Sequence, residues 1–192
     1  ASFTFVATVG AIVATGATPV YVDILAGDYV IDPAKIEKAI SARTKAILPV
    51  HYAGHAANMP AIMAMARKHK LAVIEDSCQA ITAAIDGKCT GTFGDAGGFS
   101  LHPLKNLNVW GDGGIIVSNS AEIRDRLILL RNHGLANRDE VSIFGYNSRL
   151  DELQAAFLRA KLKVIVEWNE RRSAIAKRYL TEIKPGNGLV LP

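Results

Sequence analysis

Cysteine is scarce: only 2 occur in 192 residues, and Cys78 and Cys89 are not spaced as a CxxC pair. That excludes a disulfide framework and makes a reducing, cytoplasmic compartment the expectation. No GxGxxG follows any predicted strand, which argues against a dinucleotide-binding oxidoreductase. "HYAGH" sets His51 and His55 at i, i+4, but Gly54 weakens a helix there and the Glu of HExxH is missing. With Cys78 and Cys89 the two histidines therefore make a poor metal hydrolase. The opening apolar run is broken by Thr and Gly well short of a membrane span and has no basic flank, so no targeting or membrane segment is expected. Internal repeats and low-complexity tracts are also missing. Basic residues recur between Arg159 and Arg178, but Glu167 and Glu170 interrupt them, and Trp168 is the only ring near the cluster's centre. The net charge of +4 thus reads as a mixed solvated surface and not a nucleic-acid face; an anionic small-molecule substrate suits it equally well.

What is present is an ordinary globular composition, 49% hydrophobic and 21% charged, long enough for one sizeable core. Apolar runs alternate with helical patterns, the mark of an α/β domain with a mostly parallel sheet. "TPVYVDI" (residues 18–24), "KAILPV", "LAVIED" and "GGIIVSN" read as strands. Asp32 before Pro33 is a strong helix start, Asn58 is a plausible cap before Pro60, and Gly134 closes a helix marked by Ile123, Leu127 and Leu130. From Leu150, the apolar positions Leu153, Phe157, Ala160, Val164, Trp168, Ile175 and Tyr179 keep helical spacing for about eight turns, predicting one long helix. "KPGNG" stops it, and "LVLP" begins a further element. The chain starts without Met inside a structured pattern and is expected to be a fragment.

Ligands in open α/β sheets bind at the carboxyl ends of strands. That rule singles out Asp76, ending "LAVIED", and the "PVHYAGH" segment. Glu75 is expected to point to the opposite face from Asp76, so only one of the two acids needs a ligand. In "SLHPLKNLNVWGDGG", Lys105 stands between Pro103 and the cluster Gly111, Gly113 and Gly114, an odd setting for a solvated lysine. A lysine can serve as an imine-forming nucleophile, most often with pyridoxal phosphate. That cofactor needs a carboxylate for its ring nitrogen and hydroxyl and amide donors for its phosphate. Asp76, Ser100, Lys105 and Asn106 supply those groups, although composition alone does not assign them.

Taken in order, "SFTFVATVGAIVATGATPVYVDI", "AILPVHYAG", "VIEDSCQA", "GDAGGFSLHPLKNLNVWGDGG", "LRNHG" and "GYNSRLDELQAAFLRAKL" resemble the DegT/DnrJ/EryC1/StrS sugar aminotransferases, nearly end to end. The resemblance implies the three-layer α/β large domain of a fold type I pyridoxal-phosphate transferase. It makes Lys105 the residue that bonds the cofactor and shuttles the proton, and Asp76 the partner of the pyridinium nitrogen. Gln79 would contact the ring oxygen, Ser100 the phosphate, and Phe5 would stack on the ring. Asn147 would reach the phosphate of a neighbouring subunit, implying a homodimer with shared sites. His51, Tyr52, His102 and Arg149 are candidates for the substrate side.

The implied reaction moves an amino group from an amino acid, usually glutamate, to a nucleotide-linked keto-sugar. Lys105, where some members carry His and perform dehydration, favours transamination. Residues 1–149 would be the cofactor-binding domain, lacking the family's upstream phosphate loop. Residues 150–192 would be a long connecting helix toward a small C-terminal domain that is missing here. The alternative is a non-catalytic or regulatory homologue that keeps the fold for binding or dimerisation.

Overall fold

The computed structural model describes residues 1–186 and 188–191. Asn187 in "KPGNG" and Pro192 in "LVLP" lie outside the described residues. The chain opens with helix α1 (Val6–Ala14), followed by α2 (Pro33–Ala39). Asp32 caps α2 by accepting a hydrogen bond from the Ala34 N–H, with Pro33 fixed in the first turn. Strand β1 (Ala46–Ile47), helix α3 (Met59–His69) and strand β2 (Ala72–Asp76) form a crossover unit. Asn58 caps α3 through Ala61 N–H, as its position before Pro60 predicts.

A small hairpin, β3 (Ala84–Ile85) with β4 (Lys88–Cys89), precedes the second long strand, β5 (Ala96–Ser100). Then come β6 (Gly114–Val117), α4 (Ala121–Leu130), α5 (Glu152–Leu162) and α6 (Ile165–Glu182). The main sheet has the order β1-β2-β5-β6. β1/β2 and β2/β5 are parallel, and only β5/β6 is antiparallel. The expected α/β class with a mostly parallel sheet is what forms.

Two apolar clusters hold these layers. One gathers Ile36, Ile47, Met59, Ile62, Ala66 and Val73, from α2, β1, α3 and β2. The other joins Leu101, Leu107 and Val109 to Leu158 of α5 and Ile165 of α6. This second cluster lies directly beneath the lysine-bearing segment and ties it to the C-terminal helices. Among the described residues, no helix is long and apolar enough to cross a membrane.

Two expected elements differ. Residues 18–24 do not form a strand; Ile24 alone bridges, to Ile31, while Val22 O accepts from Ser2 N. The Val/Tyr alternation there has β propensity, but a ladder also needs a partner strand, and this extended stretch is paired with loop backbone instead. The long C-terminal helix is two helices. At Val164 the backbone turns to φ −122°, ψ −3°, so the ladder stops after α5 and restarts in α6. Leu158 and Ile165, one on each side of the break, both enter one buried cluster, and apolar periodicity does not reveal the interruption between them.

Tight packing of β5 on the loop before it is visible at Gly97, where a Cβ would overlap the carbonyl and Cα of Gly91. Gly97→Ala is therefore expected to destabilise the protein by about 3 kcal/mol through overpacking of rigid backbone. Urea unfolding measures it, and a Gly98→Ala control, with open space at its Cβ, should cost far less.

Candidate active site

The carboxyl ends of β2 and β5 and the segment after β1 meet at one edge. His51 N donates to Asp76 O at 3.0 Å, and Ser77 N donates to Gly98 O at 2.9 Å. A pocket of about 250 Å³ opens there, with Ser77, Cys78, Gln79, Ser100, Lys105 and Asn106 among its lining. Lys105 thus lines the pocket at the edge where β2 ends.

The lysine sits at the end of a turn. Pro103 fixes its second position, and Lys105 N donates to His102 O at 2.9 Å. Beneath the turn Leu101, Leu107 and Val109 are buried, so the backbone is pinned while the side chain faces the pocket. Asn108 Nδ2 caps the turn by donating to Lys105 O at 2.7 Å. Among the described residues the ammonium has no hydrogen-bond or ion-pair partner. Ser100 Oγ accepts from His102 N at 3.3 Å, and His102 Nδ1 accepts from Leu104 N at 3.2 Å. His102 is exposed and bonded locally.

The Asp76 carboxylate is held at both oxygens. Oδ2 accepts from Thr8 Oγ1 at 2.6 Å, and Oδ1 accepts from Cys78 N at 3.1 Å. Thr8 lies on α1, so the first helix contacts the strand end through a hydroxyl. Cys78 lies between the charges: burial first, then the Asp76 charge and hydrogen bond, push its thiol up to about 12, against the opposing pull of Lys105. Gln79 Oε1 accepts from Ala53 N at 2.8 Å, which fixes the amide's orientation and leaves its NH2 group available.

Behind this edge lies a buried hub. Glu75 is 1% exposed, yet its carboxylate accepts from four donors. His51 Nε2 lies 3.0 Å from Oε2, and Gly91 N donates to the same oxygen at 2.7 Å. Oε1 accepts from Phe93 N and Gly94 N, each at 2.7 Å. His51 Nδ1 accepts from Ala57 N at 3.1 Å, so the proton of a neutral ring belongs on Nε2, facing Glu75. Burial pushes the Glu75 carboxyl up, but His51 and the Gly94 and Gly91 N–H groups outweigh it and hold the group below its ordinary 4.5.

The expected substrate-side place of His51 needs correcting: its ring is 0% exposed, and both nitrogens are engaged in the interior. Tyr52 packs against Phe3, with ring centroids 4.7 Å apart in an edge-on arrangement. Phe5 is 68% exposed at the N-cap of α1 and does not line the pocket. Asn147 and Arg149 also lie on the surface, joined by an Arg149 Nε to Asn147 Oδ1 bond of 3.2 Å. Among the described residues His51, His55, Cys78 and Cys89 form no metal-ligand group. Sequence reasoning missed Glu75, Thr8 and Cys78. The signals for Glu75 were present: a His after β1, and "GTFGDAGG", whose glycines bring backbone N–H groups close to a carboxylate.

A mostly parallel sheet under helical layers is the fold of the large domain of fold type I pyridoxal-phosphate transferases. The chain belongs to the DegT/DnrJ/EryC1/StrS aminotransferase family, whose profile matches residues 1–191. It is 49% identical over its whole length to UDP-N-acetyl-3-dehydro-alpha-D-glucosamine 3-aminotransferase of Acidithiobacillus ferrooxidans, covering 52% of that protein. It is 46% identical to a pleiotropic regulatory protein of Geobacillus stearothermophilus, covering all of this chain and 52% of that one. The crystal structure of S. venezuelae DesV in complex with a ketimine intermediate superposes with a TM-score of 0.93 at 43% identity, over 100% of this chain and 53% of DesV. The chain thus spans about half the length of the relatives it matches.

The Glu75 hub gives a pH prediction. A carboxyl with a lowered folded-state pKa contributes stability that is complete above its unfolded value and is lost as pH falls through the folded value. Stability should therefore fall as the medium is acidified below about 4.5. Glu75→Gln should cost about 3 kcal/mol at pH 7, because an amide NH2 then faces N–H donors, and should flatten that acid limb. Denaturation midpoints across pH measure both effects. The raised thiol makes a second prediction: alkylation near pH 8 should label exposed Cys89 and spare Cys78. Peptide mapping after a timed alkylation reads the ratio.

Proposed function

We propose that the full-length protein is a pyridoxal-phosphate-dependent aminotransferase. It takes an amino group from an amino-acid donor, glutamate, and gives it to a nucleotide-linked keto-sugar. Its product would serve lipopolysaccharide, other polysaccharide or natural-product amino-sugar synthesis. The observation that carries this reading is the unpartnered Lys105 amine in a pocket that also holds Ser100 and Gln79, at the edge where Asp76 ends. The residues suit the cofactor. Besides the free amine, Ser100, Gln79 and Asn106 line the same pocket and supply a hydroxyl and amide groups of the kind the cofactor's oxygens need.

When bound, pyridoxal phosphate supplies an electron sink that lets a proton leave the carbon bearing the transferred amine. In this proposal Lys105 Nζ is the group that would hold the cofactor and carry that proton. Asp76, steadied by Thr8 and the Cys78 N–H, keeps the ring nitrogen protonated. Gln79 offers its NH2 group to the ring oxygen, since Ala53 N occupies its carbonyl. Ser100 would donate to the phosphate, and Phe5, exposed at the N-cap of α1 and outside the pocket lining, would stack on the ring once the cofactor is bound. Asn147 serves the phosphate of the partner subunit in a homodimer. Tyr52, His102 and Arg149 face substrate, and His51 acts only through Glu75. Residues 1–149 make the cofactor-binding part, and residues 150–192 lead toward a small domain.

One observation favours a second reading. The Geobacillus stearothermophilus relative bears a regulatory name, consistent with a homologue that keeps the fold for binding or dimerisation. A single experiment separates the two. Full-length protein supplied with cofactor should show a lysine-linked chromophore that glutamate bleaches and Lys105→Ala abolishes. Borohydride reduction and peptide mapping should place the label on Lys105. A protein with no such chromophore, or with label on another lysine, overturns the proposal.

A further inference from the structure

The pocket has two walls from distant parts of the chain: the loop after β2, with Gln79 and Ile81, and the lysine turn, with Lys105 and Asn106. One side chain from outside the pocket touches both. Asn169, on α6, accepts at Oδ1 from Asn106 Nδ2 at 2.9 Å and from Arg172 NH1 at 3.3 Å. Its Nδ2 donates to Thr82 Oγ1 at 2.8 Å and to Ile81 O at 3.3 Å. Both ends of the amide are thus engaged, and its orientation follows from the network: the oxygen faces N–H donors and the nitrogen faces acceptors.

The far anchor is itself unusual. Thr82 has φ +67°, in the left-handed region that β-branched residues avoid. Glycine would take that conformation freely but would carry no hydroxyl. A strained threonine held in place by a hydrogen bond to Asn169 is what a built tie looks like, since strain of this kind persists only where its surroundings over-determine it.

We propose that Asn169 is a positioning residue that clamps the two walls of the pocket together. It holds Asn106, and through it the backbone of Lys105, at a fixed separation from the loop that carries Gln79. Thr82 is the other jaw of the clamp. The amide is essential because one group must accept on one side and donate on the other. Asp at 169 would set a carboxylate oxygen against Ile81 O, and Leu would satisfy neither wall. The clamp also makes the lysine's placement depend on where α6 sits. This inference rests on the aminotransferase reading, because it concerns the lysine that would hold the cofactor.

The test uses full-length protein loaded with pyridoxal phosphate. Asn169→Leu should weaken cofactor binding about tenfold, the loss of one or two hydrogen bonds that hold the wall. It should also shift the pH midpoint of the lysine-linked absorbance, a signature that simple destabilisation does not move. Thr82→Val, which keeps the shape without the hydroxyl, should shift the same midpoint in the same direction, while Thr82→Ser retains wild-type behaviour. Because the two residues act through one bond, Thr82→Val combined with Asn169→Leu should be no worse than Asn169→Leu alone. A wild-type chromophore whose midpoint and cofactor affinity are unchanged in both Asn169→Leu and Thr82→Val overturns the clamp and leaves the aminotransferase reading standing. A wild-type protein with no lysine-linked chromophore overturns that reading and the clamp with it.

Discussion

The carboxylate of Glu75 is the constraint on which the site depends. It is fully enclosed, and a charge in that position is tolerated only if its lone pairs are used. Four donors use them: a histidine ring and three backbone N–H groups. The histidine belongs to the segment after β1, the carboxylate to β2, and the N–H groups to the loop that leads into β5. One buried group therefore fixes three consecutive parts of the sheet edge relative to one another. Asp76 is the next residue after Glu75, and on the opposite face, so its placement follows. Gly91, one of the donors, packs so closely on Gly97, Phe99 and Ser77 that no side chain fits there.

Much of this was legible in the residues. Asp32 and Asn58 before prolines predict two helix starts, and both cap as expected. The apolar run before Asp76 gives a strand ending at the pocket edge, although only Val73 and Glu75 of it are buried, and Pro103 with the glycine cluster frames Lys105. Residues 18–24 have the composition of a strand, but composition does not supply a neighbour to pair with. The helical spacing after Leu150 gives helix but not the interruption at Val164, because the apolar period continues across it while the backbone does not. Glu75 was the instructive miss. Alternation correctly places it opposite Asp76, yet "opposite" meant the interior, where an acid must find partners. His51, a ligand candidate by its proximity to the edge, was one of those partners.

The two apolar clusters divide the labour. The one built on α2, β1, α3 and β2 supports the strand that carries Asp76. The one built on Leu101, Leu107, Val109, Leu158 and Ile165 supports the turn that carries Lys105. The Asp76 carboxylate and the Lys105 amine thus stand on separately packed foundations. Polar contacts between them are the Ser77 N–H to Gly98 O bond and the Asn169 amide, which joins Ile81 and Thr82 to Asn106. The Lys105 turn is thus pinned by buried side chains below, while its amine is left uncommitted above.

Helix α1 contributes no buried residue, yet its Thr8 hydroxyl is one of two groups that orient Asp76. Helices this short draw most of their stability from packing and little from intrinsic propensity. The orientation of the carboxylate is therefore only as narrow as the distribution of α1 on the sheet edge. Any surface that covers α1 sharpens that distribution, and a ligand that prefers the oriented carboxylate must, by the same free energy, tighten the hold of that surface on the helix. Local order at Asp76 and cover on α1 are two readings of one equilibrium.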